Sequence, residues 1–355
     1  MNTVNLGPAV VGDDNSPFII AEIGSNHNGD MDLCCDIIDA AVEAGADAVK
    51  FQSWTEETLI SEEEYQRNTE YENKKKHFGT LREMVREYQF TPDQHRTIQE
   101  YCQEQAITFC SSVFSEQGAD LLEELDVPFY KIASMDINNL PLLDYVARKE
   151  RPMIVSTGMA TMAEIEQAVQ TIQSAGNEDI VLLHCVSVYP PDMDLVNLRN
   201  METLQTAFDV PVGFSDHTLG TSIPLAAIAR GACVVEKHFT IDKDLPGWDH
   251  AISSNPEELE TLVTEGKQIH HALGSTVRSV SQEELDKRVQ FRRSAIAKKS
   301  LKKGESLKSE DVAFKRPGSG IAPDEFEYAE GRRITESVES GHVIHWHHLS
   351  SDGKE

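Results

Sequence analysis

Eight short runs rich in β-branched and aromatic residues recur at regular intervals, and this repeat restricts the fold more than any other feature of the sequence. The runs are Phe18–Ile23, Ala48–Phe51, Thr108–Ser111, Phe129–Ile132, Met153–Ser156, Ile180–His184, Val210–Phe214 and Cys233–Lys237. Strands that alternate with helices are typical of a parallel sheet. Eight regular units within about 250 residues favour a closed (β/α)8 TIM barrel. An open, doubly wound sheet is the alternative.

Amphipathic stretches of helical period lie between most of these runs. They are Met31–Ala44, Pro92–Glu104, Glu116–Leu125, Leu140–Arg148, Met162–Ala175 and Ser222–Arg230, with a further one, Pro256–Leu273, after the last run. The connection Trp54–Thr91 is too long for a plain loop, so we predict that it forms a lid containing its own helix.

The character of the sequence changes after Gly274. Residues 275–294 are polar and charged and are predicted to form a linker. Residues 295–355 contain short alternating runs separated by turn residues, which predicts a small β-rich domain. The predicted organisation is therefore a barrel domain at 1–274, a linker at 275–294 and a small domain at 295–355.

The chain has a strong acidic excess, with 60 acidic and 32 basic residues and a formal net charge of −28. Nucleic acids and anionic membranes attract basic faces, so this excess argues against both as partners. An anionic substrate would need positive charge gathered locally, which makes lysines at strand ends informative.

The six cysteines form no CxxC pair and mostly lie in apolar runs. They are interpreted as reduced core thiols of a cytoplasmic protein. The first residues show no signal-peptide pattern, and no run approaches the roughly 20 apolar residues needed to cross a bilayer.

Polar side chains occupy the carboxyl ends of the predicted strands, where barrel enzymes place their active sites. Lys50 and Lys131, together with nearby hydroxyls, could hold a phosphate or a phosphate-carboxylate anion. His217 and His238 follow the last two strands and could bind a divalent metal of the Mn, Zn or Fe type. Glu22 is a carboxylate available for acid-base chemistry.

Several motifs, in their order along the chain, resemble those of the sialic acid synthase family, which includes legionaminic and pseudaminic acid synthases. The motifs are IIAEIGSNHNGD, DAVKFQ, YKIAS, STGMA, FSDHT, EKHFT, PGWDHA and KRPG. The resemblance extends from about Phe18 to Leu349. It implies a (β/α)8 barrel followed by a small antifreeze-like (SAF) domain. The implied reaction joins phosphoenolpyruvate to N-acetylmannosamine or a related N-acetylated hexosamine, giving a nine-carbon 3-deoxy-2-keto acid and phosphate.

The resemblance also implies roles for individual residues. Glu22 would be the acid-base residue, and His217 and His238 would bind a divalent metal, expected to be Mn²⁺, with Mg²⁺ or Co²⁺ as alternatives. The phosphoenolpyruvate-binding residues would be Lys50, Ser112, Lys131, Ser134, Ser156, Ser187 and Ser215, and the sugar-binding residues Gln52, Tyr189, Asp249 and Arg316. Arg316 would reach the site of the other subunit in a domain-swapped homodimer. Ser187 departs from the family pattern, because some relatives carry Asn there.

Three alternatives remain open at this stage. The same chemistry could act on a 2,4-diacetamido-trideoxyhexose, as in a legionaminic or pseudaminic acid synthase. A related synthase could act on a phosphorylated sugar, although the sequence shows no second basic cluster for it. The chain could also be a catalytically silent carbohydrate-binding protein, which the joint presence of Glu22, both lysines and both histidines disfavours.

Overall fold

The structure, a computed structural model, describes residues 3–12, 15–68, 72–73, 76–77 and 79–351. The chain divides into two compact units, Met1–Gly274 and Ser275–Glu355. In the described part of the chain, no helix is both long and apolar enough to cross a membrane.

Eight parallel strands of the first unit close into a barrel, which confirms the predicted fold class. The strands of this unit are β1 (Thr3–Asn5), β2 (Val10–Gly12), β3 (Phe18–Gly24), β4 (Ala48–Ser53), β5 (Glu72–Asn73), β6 (Lys76–His77), β7 (Thr108–Val113), β8 (Tyr130–Ile132), β9 (Met153–Ser156), β10 (Ile180–Cys185), β11 (Val212–Asp216) and β12 (Val234–His238). The order around the barrel is β3-β4-β7-β8-β9-β10-β11-β12, and β12 pairs with β3 to close it. Strands β1 with β2, and β5 with β6, form two separate antiparallel pairs.

Helices cover the outside of the barrel and form the long connection after β4. They are α1 (Met31–Glu43), α2 (Glu56–Leu59), α3 (Glu62–Arg67), α4 (Leu81–Tyr88), α5 (Pro92–Glu104), α6 (Glu116–Glu124), α7 (Leu140–Ala147), α8 (Met162–Ser174), α9 (Met193–Val196), α10 (Asn200–Phe208), α11 (Ser222–Ala229) and α12 (Pro256–Leu273). Several begin at a capping box, in which a side-chain oxygen binds a free N–H of the first turn; Thr91, Thr161 and Asn255 are examples.

The sequence did not predict every element. The helix α10, between β10 and β11, begins at Arg199 without a side-chain cap, so the usual start signal is missing. The described residues of the connection Trp54–Thr91, for which a lid with its own helix was predicted, form the three helices α2, α3 and α4. The β1–β2 hairpin was also missed, since each of its strands has only three residues.

The barrel interior is built in layers, because successive residues of a strand point to opposite faces. Its apolar layer packs together with Val4, Leu6 and Val11 of the β1–β2 hairpin. The layer includes the strand residues Ile20, Ala48, Cys110, Ile154, Leu183 and Val234, and Phe129, which directly precedes β8. The alternate residues, such as Ile19 and Ala21, belong to a second core shared with the surrounding helices.

The second unit has a core of its own. Its elements are α13 (Gln282–Phe291), β13 (Ser294–Ala297), β14 (Val312–Lys315) and α14 (Phe326–Ala329). The apolar core includes Leu301, Leu307, Ile321, Ile334 and Ile344. The helix α13 lies within residues 275–294, which the sequence predicted to be a linker.

Gly213 tests how tightly the barrel interior is packed. A Cβ atom at this position would overlap the Val234 carbonyl oxygen on the neighbouring strand and lie 2.6 Å from Leu183 Cδ2. A backbone oxygen in a barrel strand cannot move aside as the end of a flexible side chain can. We therefore expect Gly213→Ala to lower the unfolding free energy of the first unit by about 1–3 kcal/mol. Urea unfolding followed by the fluorescence of Trp54 and Trp248 measures this.

Gly266→Ala is the matched control, because its Cβ would meet only the Cδ1 tip of Ile228, at 2.7 Å. It also gains the higher helix propensity of alanine, about 1 kcal/mol, within α12. An unchanged midpoint for Gly213→Ala would contradict the close packing described for β11 and β12.

Candidate active site

A cavity of about 280 Å³ lies at the carboxyl ends of the barrel strands. All of the predicted site residues except Asp249 and Arg316 line it. These residues are Glu22, Lys50, Gln52, Ser112, Lys131, Ser134, Ser156, Ser187, Tyr189, Ser215, His217 and His238. Asp249 lies next to the cavity, with Oδ2 3.6 Å from His238 Nδ1. Arg316 belongs to the second unit, where its guanidinium lies 4.9 Å from the ring centroid of Phe291.

The floor of the cavity is the next interior layer above the apolar one. Two residues beyond Ile20, Ala48 and Val234 are Glu22, Lys50 and Glu236, and all three line the cavity. Counting two residues beyond the interior residues of the other strands gives five more cavity-lining residues, which are Ser112, Lys131, Ser156, Cys185 and Ser215. The two-residue period of a strand therefore converts an apolar core into a polar floor within one layer.

Lys50 lies at the centre of a buried charge cluster. Its Nζ is 2.7 Å from Glu22 Oε2 and 3.6 Å from Glu236 Oε1. It also donates a hydrogen bond to Ser112 Oγ at 2.9 Å. Gln52 Nε2 donates to the other oxygen of Glu22, at 2.9 Å. These contacts hold the ammonium and the Glu22 carboxyl in one fixed arrangement.

Lys131 supplies the second buried positive charge. Its Nζ donates to Ser156 Oγ at 2.7 Å and to the Ile132 carbonyl oxygen at 2.9 Å. It lies 3.8 Å from Glu236 Oε2, an oxygen that accepts no hydrogen bond. Glu236 thus lies between the two lysines, and an anion entering the cavity would compete with it for both ammonium groups.

Burial raises the pKa of Glu22 to about 7, since the nearby negative charge of Glu236 adds to the effect and Lys50 only partly opposes it. Burial alone would lower the pKa of Lys50, but Glu22 and Glu236 raise it overall. Both pKa shifts are consistent with a Lys50 that stays protonated. They make Glu22 the group of this pair that gains or loses a proton more readily. Glu22 can therefore exchange a proton near neutral pH.

Glu236 is the main residue of the floor to which sequence reasoning assigned no role. Burial would raise its pKa, but Lys131 and Lys50 lower it overall, so this carboxylate is the stable negative charge of the cluster. The signal was present, because Glu236 follows Val234 by two residues on the last barrel strand. A prediction based on strand faces, rather than on strand ends alone, would have found it.

His217 and His238 lie side by side above the floor, with ring centroids 5.4 Å apart. His217 Nδ1 is 2.9 Å from the Val186 carbonyl oxygen, so it carries the proton and leaves Nε2 free to bind a ligand. His238 Nδ1 is buried without a hydrogen bond. Burial also lowers the pKa of His238, which keeps its imidazole neutral. Two adjacent imidazoles fit a divalent metal whose other positions are filled by water or substrate.

The outer wall of the cavity is largely apolar. It is formed by Trp54, Leu59, Phe114, Met135, Met159 and Trp248. Trp54 belongs to a small hydrophobic cluster of the lid, against which Leu59, Phe114 and Trp248 pack. These residues lie in the connections that follow several different strands, so strand patterns in the sequence did not indicate them.

Cys185, which the sequence analysis treated as a core thiol, also lines the cavity. Its Sγ lies 4.0 Å from His217 Nδ1 and 4.0 Å from Ser187 Oγ. Ser187 therefore faces the floor beside this thiol. All six cysteines are free thiols.

Comparison with known proteins shows what this architecture resembles. Residues 37–278 match the NeuB family, and residues 292–350 match the SAF domain. An N,N′-diacetyllegionaminic acid synthase from Legionella pneumophila is 41% identical over 342 residues, 94% of this chain and 95% of that protein. The human N-acetylneuraminate-9-phosphate synthase is 36% identical over 346 residues, 97% of this chain and 96% of that protein.

A solved structure shows the same arrangement. The crystal structure of an N-acetylneuraminic acid (sialic acid) synthetase from Leptospira borgpetersenii, in complex with citrate, shares 35% sequence identity with this chain. The match covers 80% of this chain and 94% of that chain, with a TM-score of 0.72.

Proposed function

The chain belongs to the NeuB family of sialic-acid-type synthases, and we propose that it joins phosphoenolpyruvate to an unphosphorylated N-acetylated hexosamine. The products would be phosphate and a nine-carbon 3-deoxy-2-keto acid. The observation that carries this proposal is the cavity floor, where two buried lysines face an open volume and a cluster of hydroxyls. In a chain with a net charge of −28, such a local concentration of positive charge suits an anionic substrate.

Phosphoenolpyruvate would lie on this floor. Lys50 and Lys131 neutralise its phosphate and carboxylate, and Ser112, Ser134, Ser156, Ser187 and Ser215 are placed to donate hydrogen bonds. Lys131 would lose little electrostatic stabilisation by turning to the substrate. Among the described residues, its only carboxylate neighbour within 4 Å is Glu236, at 3.8 Å.

His217 and His238 would hold a divalent metal, for which we propose Mn²⁺. When bound, the metal supplies a Lewis acid that polarises the aldehyde of the open-chain sugar. Asp249, 3.6 Å from His238, stands beside this site and is available to the sugar. Burial raises the pKa of Asp249 to about 6.

The bond changes follow from this placement. C3 of phosphoenolpyruvate attacks the aldehyde carbon and forms the new C–C bond, while the aldehyde oxygen takes up a proton and becomes a hydroxyl. C2 then adds water, whose proton passes to Glu22. The C2–O bond to phosphate breaks with its electron pair, and loss of the hydroxyl proton leaves the 2-keto group. Glu22 fits the proton transfer because its pKa is about 7.

The cavity wall narrows the choice of sugar. Among the described residues that line the cavity, the only lysines are Lys50 and Lys131, both in the floor, and no arginine is present. A second anion such as a sugar phosphate would therefore find no further cation among the described barrel residues that line the cavity. Trp54, Phe114 and Trp248 instead offer apolar surface, which favours a deoxy sugar with acetyl groups. A 2,4-diacetamido-trideoxyhexose is thus the second candidate beside N-acetylmannosamine.

A substrate panel tests the reaction. Purified protein with Mn²⁺ and phosphoenolpyruvate is expected to convert N-acetylmannosamine or the diacetamido sugar, but not N-acetylmannosamine 6-phosphate, to a keto acid detected by mass together with free phosphate. Chelation should stop turnover. Binding of sugar without any product would support the carbohydrate-binding alternative instead, and preference for the sugar phosphate would contradict the specificity.

Lys131→Met and Lys149→Met form a matched pair for the panel. The first removes a buried charge of the floor, and we expect it to weaken phosphoenolpyruvate binding roughly ten- to a hundredfold. Lys149 makes ion pairs outside the cavity, with Asp120 and Glu123, so its variant should bind phosphoenolpyruvate normally.

The pH dependence of kcat/KM tests Glu22. Because a base must be ionised to accept a proton from water, kcat/KM should fall as the pH drops below about 7, the pKa of Glu22. The phosphate of the substrate also titrates, near roughly pH 6. Glu22→Gln should therefore lose most of its activity. Its remaining kcat/KM should still fall near roughly pH 6, where the substrate phosphate titrates, but should show no change near pH 7. A wild-type profile without a limb near pH 7 would remove Glu22 from the proton transfer.

We also propose that Arg316 binds the sugar in the barrel of a second copy of the chain. A guanidinium suits the fixed, bidentate recognition of an acetyl oxygen or of hydroxyls. Mixing an Arg316→Ala chain with a Glu22→Ala chain should then restore part of the activity, since one site of the mixed dimer carries neither change. Mixed dimers that form but stay inactive would mean that each chain builds its site alone.

A further inference from the structure

Three potential metal ligands lie close together on the second unit, and none of them belongs to the candidate active site. Glu336, His347 and His348 each place a donor atom so that all three lie within 4.8 Å of one another. Among the described residues, this is the only group of three or more His, Cys, Asp or Glu side chains with that geometry. The ring of His345 is close as well, 5.2 Å from His347 and 5.4 Å from His348 between centroids.

The backbone brings these side chains together. Thr335 N donates to the His348 carbonyl oxygen at 2.8 Å, and Thr335 Oγ1 donates to the His347 carbonyl oxygen at 3.1 Å. Ile334 and Leu349 form an antiparallel bridge, and both are buried in the core of the unit. Glu336 is therefore held opposite the short 3₁₀ turn Trp346–His348. The backbone that carries the three side chains is therefore already fixed before a ligand binds, which favours affinity.

We propose that Glu336, His347 and His348 bind a divalent transition metal of the Zn²⁺, Ni²⁺ or Cu²⁺ class, at a site distinct from His217 and His238. Imidazole nitrogens with one carboxylate are the donor set these ions prefer. Mg²⁺ and Ca²⁺ prefer oxygen ligands and should bind poorly. Glu336 and His347 are exposed and His348 is partly so, which leaves room for water at the remaining positions.

The surroundings of the Glu336 carboxylate favour binding. Glu336 has no ion pair with any of the described residues, so its carboxylate does not have to leave a cation.

Binding would change one hydrogen bond. The backbone N–H of His345 donates to His348 Nδ1 at 3.1 Å, which places the ring proton on Nε2. If the metal binds Nδ1, it replaces this hydrogen bond. If it binds Nε2, the proton moves to Nδ1 and the hydrogen bond is lost in the same way. Metal binding should therefore speed amide exchange at His345, a change that a merely structural turn would not show.

The test is a competition titration of the full-length protein with Zn²⁺ against a chromophoric chelator. We expect His347→Ala/His348→Ala to bind one Zn²⁺ fewer per chain than the wild type. The control His270→Ala/His271→Ala removes another adjacent pair, at the end of α12 with ring centroids 5.8 Å apart, and should bind as many as the wild type. The pair His217 and His238 is untouched in every variant, so failure of the proposed enzyme activity would leave this result interpretable.

Glu336→Gln is a milder second variant, for the case in which the double histidine variant does not fold. It should weaken binding of this Zn²⁺ roughly ten- to hundredfold without changing that of any other. Zn²⁺ should also raise the melting temperature of the wild-type second unit more than that of either variant, because it binds only the folded form. Equal stoichiometry and affinity in the wild type, the double variant and Glu336→Gln would overturn the proposal.

Discussion

The burial of Lys50 between two carboxylates is the interaction on which the rest of the site depends. A lysine taken out of water is costly unless opposite charge lies close to it, and here Glu22 at 2.7 Å and Glu236 at 3.6 Å supply that charge. Lys131 on the other side of Glu236 adds a second positive charge. The cluster is balanced when empty, yet its lysines face an open cavity. An anionic substrate can therefore compete with Glu22 and Glu236 for the two ammonium groups, and protonation of Glu22 would offset the added negative charge.

The layered barrel makes this cluster possible. The apolar layer beneath it, which includes Ile20, Ala48 and Val234, keeps water from reaching the charges from below. Each charged residue follows an apolar one by two positions on its own strand, so the strands set both the depth and the spacing of the charges. Close packing at Gly213 holds β11 against β12, the strand that carries Glu236 and His238. The chemistry therefore rests on rigid strands rather than on loops.

Much of this arrangement was predictable from the sequence. The eight β-rich runs specified the barrel, and residues at their ends, such as Lys50, Lys131 and His217, do line one cavity. Glu236 was missed because a position near a strand end does not say which face the side chain occupies. Trp54 and Phe114 were missed for a different reason. They reach the wall from loops far apart in the sequence, and only the folded chain brings such residues together. The helix α10 lacked a capping residue, so no local signal marked its start.

The central claim, that the buried cluster is the binding site for the anionic substrate, is tested most directly by the protons that accompany phosphoenolpyruvate binding. At pH 8 the substrate phosphate is fully ionised, and its charge should raise the pKa of Glu22 above its value of about 7 in the free protein. The fraction of Glu22 that stays ionised in the complex is the reactive form, and kcat/KM still reports the pKa of the free protein. Calorimetric titration in buffers of different ionisation enthalpy is expected to show proton uptake on binding, larger in the wild type than in Glu22→Gln. Binding with no proton uptake, or with proton release, would contradict the account.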